Sequence, residues 1–415
     1  MAYQSILVVG GGISGLTAAV EAAEAGSEVY LVEKKAYLGG RVAQMNRYFP
    51  KLCPPNCGLE INYKRIKQNP RIKFFTLAEI EKIEGKEGDF TVTVKSNPRF
   101  VNQNCTACGK CTEVCPVERS NEYNYGLDKT KAIYKAHEFA FPMKYVVDKE
   151  VCLGAECGKC VSACQYDAIE LDMAAKSFNL NVGSIVWATG WEAYDATKID
   201  YYGFGRHQNV ITNVMMERLA APNGPTGGKI VRPSDGKKVE SIAFVQCAGS
   251  RDVNNLAYCS GVCCMASLKQ ATYLKEKNPD AKVSMFYIDV RAMGKYEEFY
   301  TKVQDGISMI KGKVGEITED PLTKDLFVQV ENQLTGEIMK EKVDMVVLAT
   351  GMVPATDNSK LPIVINYDED GFIASDSQQP GIYGAGCVKK PLDVASSVKD
   401  ATAAALKAIQ STVRR

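Results

Sequence analysis

The apolar positions of this chain fall into short runs that stop at glycine. Ser5–Val9 is an apolar strand running into Gly10, and Ile13–Ala25 is alanine-rich with apolar residues at helical spacing. A second apolar strand, Glu28–Val32, ends at Glu33. Farther on, Phe90–Lys95 alternates apolar and polar, as a half-buried strand does, and Phe178–Ala188 resumes the same sheet. Ile242–Gln246, Lys282–Ile288 and Phe327–Val330 predict further strands, while Cys259–Lys277 and Asp393–Ile409 predict helices. Strands interleaved with helices define an α/β chain. Pro222–Gly236, rich in proline and glycine, reads as a surface connection. No stretch approaches the roughly eighteen consecutive apolar residues of a membrane span, so any membrane link is expected to come through partners.

Gly10, Gly12 and Gly15 form G-x-G-x-x-G on the first strand-to-helix turn. Glycine there lets the backbone approach a pyrophosphate, whose charge rests on the amides and dipole of the helix start. Glu33 is the acid expected about twenty residues on, accepting the ribose hydroxyls. Alone, the glycines would be no more than a tight turn. In the order strand, glycines, helix, strand, acid, they predict dinucleotide binding.

The chain has 15 cysteines, eight of them in two runs. Cys105, Cys108, Cys111 and Cys115 precede Pro116, which is the C-x2-C-x2-C-x3-C-P run of bacterial ferredoxins, where the fourth thiolate serves the other cluster. On that pattern Cys105, Cys108, Cys111 and Cys164 share one [4Fe-4S] cluster, and Cys115, Cys152, Cys157 and Cys160 share a second. A zinc site is the competing reading of C-x2-C pairs, and the step to Cys-Pro beside a second run fits it poorly. Four residues separate Cys152 from Cys157, and C-x4-C-x2-C is also the plant-type [2Fe-2S] spacing. The bacterial step from Cys160 to Cys164 favours a [4Fe-4S] cluster with a stretched first loop. A third group, Cys247, Cys259, Cys263 and Cys264, leaves two readings open from spacing: an irregular cluster, with positions 259 and 263 on one helical face, or buried free thiols.

Lys34, Lys35, Gly39, Gly40 and Arg41 follow Glu33 and resemble the E-K-x-x-x-x-G-G-R signature of thioredoxin reductase-like flavoproteins with two dinucleotide-binding domains. Ile185–Gly190 (IVWATG) and Val346–Gly351 (VVLATG) look like the strand-plus-ATG segments that return to the FAD domain in that family, and Gly381–Gly386 (GIYGAG) like its last flavin-contacting strand. The resemblance implies FAD contacts at Lys34, Gly40, Arg41, Thr189, Gly190, Gly351 and Gly386. Cys387 stands where that family has an aspartate. In the expected second Rossmann unit, Cys247, Ala248, Gly249 and Ser250 replace the glycine fingerprint, so direct use of NAD(P)H is not expected.

The order of these motifs resembles HdrA, the flavin-bearing subunit of heterodisulfide reductase. At 415 residues the chain looks most like its shortened relative, the corresponding flavoprotein of the quinone-interacting membrane-bound oxidoreductase (Qmo) complex of sulfate reducers. That resemblance implies a third [4Fe-4S] cluster at Cys247, Cys259, Cys263 and Cys264. It also implies electron exchange between membrane quinol and adenylylsulfate reductase through companion subunits, a second flavoprotein of the same kind and a haem-bearing membrane subunit. The expected location is cytoplasmic, at the inner face of the membrane. Composition agrees: so many cysteines suit a reducing compartment, and the Ile6–Val9 run leads to glycines and not to a leader cleavage site. Fifty Lys and Arg against 49 acids give a net charge of +1, which gives nucleic acid no basic surface to bind. His137 and His207 are the only histidines, too few for a haem site beside other roles. Competing functions are a dithiol oxidoreductase using Cys53 and Cys57 beside FAD, an electron-bifurcating subunit of heterodisulfide reductase type, and a scaffold that keeps its cofactors without turnover.

The expected fold is an FAD-binding Rossmann-type fold with an inserted α+β ferredoxin-like domain. Its segments are 1–95 (first FAD half), 96–178 (insert), 179–236 (FAD return and connection), 237–330 (degenerate nucleotide domain with the cysteine cluster) and 331–415 (carboxyl-terminal FAD part).

Overall fold

The computed structural model describes residues 3–358, 360–374 and 379–413. The chain divides into two compact units, one made of residues 1–191 and 354–415, the other of 192–353.

The first unit is built on five parallel strands in the order Ile382–Gly384, Ser184–Trp187, β1 (Ile6–Val9), β2 (Val29–Glu33) and Ile72–Thr76. Every residue of β1 is buried, as a strand covered on both faces must be. The helix α1 (Ile13–Glu24) shares an alanine-rich core with the helix Val394–Val413, where Ala18, Ala19 and Ala22 meet Ala401, Ala404, Ala405 and Ala408. Small side chains let the helices approach closely. The helix α2 (Pro55–Gln68) adds Leu59, Tyr63 and Ile66 to that core.

An antiparallel sheet of Ala78–Lys86, Asp89–Ser96 and Lys176–Val182 carries the insert, with Ser96 directly opposite Lys176. The chain therefore leaves and re-enters this sheet at one place, as expected for a segment replacing a hairpin tip. Within the insert, the short helices α3 (Lys110–Val114) and α4 (Lys159–Ala163) and two small hairpins surround a core of Phe100, Val101, Ile133, Val147, Ala168 and Ile169. The insert does not merely hang from its tip. Phe141 stacks on Tyr63 at 5.0 Å between ring centroids, its carbonyl accepts from Leu38 N at 2.8 Å, and His137 stacks on Tyr123 beside Tyr37.

The second unit repeats the architecture. Its parallel sheet runs Val210–Thr212, Met345–Thr350, Ser241–Ala248, Lys282–Tyr287 and Ser308–Lys311, beside an antiparallel sheet of Val314–Glu319, Leu326–Glu331 and Ile338–Val343. The expected segment limits differ here. Val346–Gly351, assigned by its ATG ending to the flavin domain, lies in the second unit, where Met345–Thr350 is fully buried between Val210–Thr212 and Ser241–Ala248. A fold used twice ends strands in the same way twice, so the ATG signature could not say which sheet it closes. For the same reason this unit reaches from 192 to 353 and not from 237 to 330.

Candidate cofactor-binding sites

In the first unit the glycine turn is built by close approach. A Cβ on Gly15 would lie 1.7 Å from Gly10 O, and one on Gly10, at φ +105°, 2.4 Å from Ala188 O. Gly12 caps α1 without any side chain, and a Cβ added there would meet nothing nearer than Gly40 Cα at 3.8 Å, which leaves the start of α1 open to a ligand. Gly40, at φ +55°, crosses so near that its own Cβ would lie 2.8 Å from Gly12 Cα.

Glu33 is buried, and its carboxylate accepts from Gly11 N at 2.6 Å and Lys35 N at 2.7 Å, with lone pairs left over for a hydroxyl. Burial raises its pKa against the pull of those two amides. Gly11, which the motif does not mark, is thus the residue that ties the turn to the acid. Lys34 is directed elsewhere: it is exposed and pairs with Glu79 at 3.3 Å on the surface. Arg41 donates from Nε to Trp191 O at 3.2 Å and from a terminal nitrogen to Tyr125 Oη at 3.0 Å, so the insert touches the residue after the second glycine pair.

Thr189 Oγ1 is buried with no hydrogen-bond partner, and nothing lies within 4 Å of where a Gly190 Cβ would stand. An unpaired buried hydroxyl beside open space is the mark of a polar ligand's seat. Gly386, at φ +71°, donates to Asp400 Oδ2 at 2.7 Å, and a Cβ there would strike Ser14 Oγ at 2.1 Å. Asp400 thus engages the backbone near where an aspartate was missing, and Cys387 turns inward, with Sγ 3.4 Å from Leu392 O. The open helix start, the buried acid and the unpaired Thr189 hydroxyl together fit FAD. Gly351 lies in the second unit, where its Cβ would meet Ser250 Oγ at 2.3 Å.

In the insert the two cysteine runs cross. Cys105, Cys108, Cys111 and Cys164 line one hollow of about 340 Å³ with Ile133, Tyr145 and Tyr166. Cys115, Cys152, Cys157 and Cys160 line another of about 350 Å³ with Val147 and Leu153. Thiolates set around a shared hollow are the donors an iron–sulfur cluster takes. Gly109 and Gly158, at φ +91° and +51°, start α3 and α4, turning Cys108–Cys111 and Cys157–Cys160 alike. Backbone amides point at two of the sulfurs, Gly154 N at Cys152 Sγ and Ala168 N at Cys164 Sγ, both at 3.4 Å. Burial pushes the Cys111 thiol up to about 11, a proton that a metal must displace.

In the second unit the strand Ser241–Ala248 does not run straight into a helix. The loop Gly249–Val262 intervenes, and the next helix is Cys263–Lys277. Cys259 therefore lies before the helix, and its expected sharing of a helical face with Cys263 fails because the helix starts at Cys263 itself. The four thiols are nevertheless neighbours: burial foremost, then the Cys264, Cys247 and Cys259 charges, raise the Cys263 thiol. Cys263 Sγ lies 3.6 Å from Thr350 O, and Gly261 N points at Cys259 Sγ from 3.3 Å. Cys247 itself sits at φ +56°, and burial pushes its thiol up to about 11. The strand end, the loop and the helix start thus supply four thiols, donors of the kind a cluster takes.

Cys53 and Cys57 flank the start of α2, one half-buried and one exposed, and they are not bonded to each other. His137 belongs to the aromatic contact between insert and flavin segment, and His207 lies 4.0 Å from Glu319. Among the described residues no helix is long and apolar enough to cross a membrane.

Residues 5–55 match the family of FAD dependent oxidoreductases. The chain is 40% identical over 420 residues to the CoB–CoM heterodisulfide reductase iron-sulfur protein HdrA of Methanocaldococcus jannaschii, covering 97% of this chain and 63% of that protein. It is 43% identical over 417 residues to an HdrA of Methanopyrus kandleri, with the same coverage. The chain thus spans under two thirds of the length of these relatives. Among solved structures, thioredoxin reductase of Lactococcus lactis superposes with a TM-score of 0.54 at 16% identity, over 99% of this chain and all of that one. Thioredoxin reductase of T. acidophilum gives 0.53 at 16% identity, over 99% of both chains. Those two likenesses describe the fold; along nearly its whole length the chain is similar to HdrA of heterodisulfide reductases.

Proposed function

We propose that the chain is the FAD- and iron–sulfur-carrying electron-transfer subunit of a multi-subunit oxidoreductase. The observation that carries this reading is the pair of hollows in the insert, each lined by three cysteines of one run and one of the other, on the same unit as an open dinucleotide cradle. Flavin, when bound, exchanges electrons in pairs or singly, whereas each cubane exchanges one. The chain's own part is to hold and insulate. Gly12 and the α1 amides receive the pyrophosphate, Glu33 the ribose, and Thr189 the polar edge of the flavin group. The insert's cysteines and small apolar core keep two clusters within one small domain. Arg41, between Trp191 and Tyr125, fixes the insert against the flavin segment. Cys247, Cys259, Cys263 and Cys264 would hold a third cluster in the second unit.

Iron, sulfide and flavin analysis of anaerobically purified protein tests this reading. About twelve iron atoms per FAD are expected for three cubanes and about eight for two; zinc, or iron below four per chain, would overturn it. For the partners, the resemblance to the shortened relative supports electron exchange between quinol and adenylylsulfate reductase through companion subunits at the membrane. The names of the sequence relatives support a second reading, a subunit serving heterodisulfide reduction. Reduction of the purified complex by a quinol analogue, with adenylylsulfate or with a thiol heterodisulfide as acceptor, separates the two.

A further inference from the structure

The loop between Cys247 and Cys259 carries a cation that neither the flavin cradle nor the insert uses. Arg251 sits at φ +56°, a left-handed conformation that non-glycine residues rarely adopt. Backbone bonds hold it there: Arg251 N donates to Tyr258 O at 3.0 Å, Asp252 N to Leu256 O at 3.0 Å and Leu256 N to Gly249 O at 2.8 Å. Its guanidinium pairs with the Asp289 carboxylate, and the Asp289 carbonyl lies 3.8 Å from Cys264 Sγ. The same guanidinium lies near the Cys247 and Cys259 sulfurs. Gly261 N is a further donor, pointing at Cys259 Sγ from 3.3 Å.

Every electron added to a thiolate-bound cluster adds negative charge, so donors and cations at the sulfurs favour the reduced form and raise the reduction potential. We propose that Arg251, anchored by Asp289, is the positioning residue that raises the potential of the centre held by Cys247, Cys259, Cys263 and Cys264, making it an electron-accepting end of the chain. This rests on the reading of those four cysteines as cluster ligands. The strained backbone at Arg251 then has a purpose, since a side chain leaving the loop in the ordinary conformation would set out in another direction.

The test uses the full chain with its cofactors, in wild type, Arg251→Gln, Arg251→Lys and Cys263→Ala, reading iron per flavin and an EPR-monitored redox titration. Cys263→Ala identifies the signal of the third centre by removing it along with iron; if iron and spectra stay equal, the cluster reading has failed and the role of Arg251 falls with it. With the signal identified, Arg251→Gln is expected to keep the iron and move that midpoint to lower potential, with Arg251→Lys in between and the insert signals unmoved. Superimposable titrations in all three proteins that retain the centre would overturn the role of Arg251 alone. If Arg251→Gln loses the centre, Arg251→Lys decides: retention near the wild-type potential supports the charge, and loss with flavin still bound overturns it.

Discussion

Glu33 sits buried with both carboxylate oxygens bonded to amides of its own fold, Gly11 N and Lys35 N. In Glu33→Gln one of those amides would face an NH2 group, and a buried donor left without an acceptor costs about 1–3 kcal/mol. Lower denaturant stability and lower flavin content are expected together, and equal flavin per chain in the two proteins would deny Glu33 its place in the cradle. At Cys108 the expectation is different. Cys108→Ser removes one lining thiol from a hollow whose walls do not include Tyr123 or Phe141, so FAD stays while about four iron atoms per chain are lost. Unchanged iron, with zinc released instead, would sink the cluster assignment. At this scale the sequence was readable where a residue's requirement is local. Gly10, Gly15 and the cysteine spacings announce themselves because no other residue does their work. Gly11, Asp400 and Arg251 were not readable, since their roles arise from partners 22, 14 and 38 residues away. Lys34, a motif neighbour, sends its side chain to Glu79 at the surface, a partner 45 residues away.

Elements follow their patterns to within a few residues, with one instructive exception. α1 was expected over Ile13–Ala25 and spans Ile13–Glu24, because its bare glycine face and its alanine face are both written in the sequence. Gly15→Ala tests that docking: its methyl would lie 1.7 Å from Gly10 O, backbone that cannot move without displacing β1. A loss above about 3 kcal/mol and failure to retain flavin are expected, measured by urea unfolding and absorbance. A soluble variant with normal flavin content would mean that α1 does not sit as closely as described. The helix Cys263–Lys277 was expected to include Cys259. Cysteine carries little preference between helix and loop, and the break at Gly261, with φ +67°, became visible only in the backbone.

For the molecule as a whole, a second unit was legible from the strand ending at Gln246 with Cys247–Ser250 in place of a glycine fingerprint, and its boundaries were not. A strand such as Met345–Thr350, buried throughout, says that it belongs in the middle of a parallel sheet without saying which one. The second unit also departs from a nucleotide-binding domain where it matters. Cys247 at the strand end and Cys263 at the helix start, with the loop Gly249–Val262 between them, replace the glycine turn that would receive a diphosphate. Neither NADH nor NADPH should therefore bleach the flavin in anaerobic stopped-flow with the isolated chain, and rapid bleaching by either would contradict the assignment. The crossing of the insert's cysteines has one more consequence. Because Cys115 and Cys164 each close the hollow opposite their own run, two centres held there would depend on each other like a pair of keystones. Damage by oxygen at either one should slacken the other, so partly loaded inserts should be scarce, and aerobic decay should run from full occupancy to none with few chains caught between.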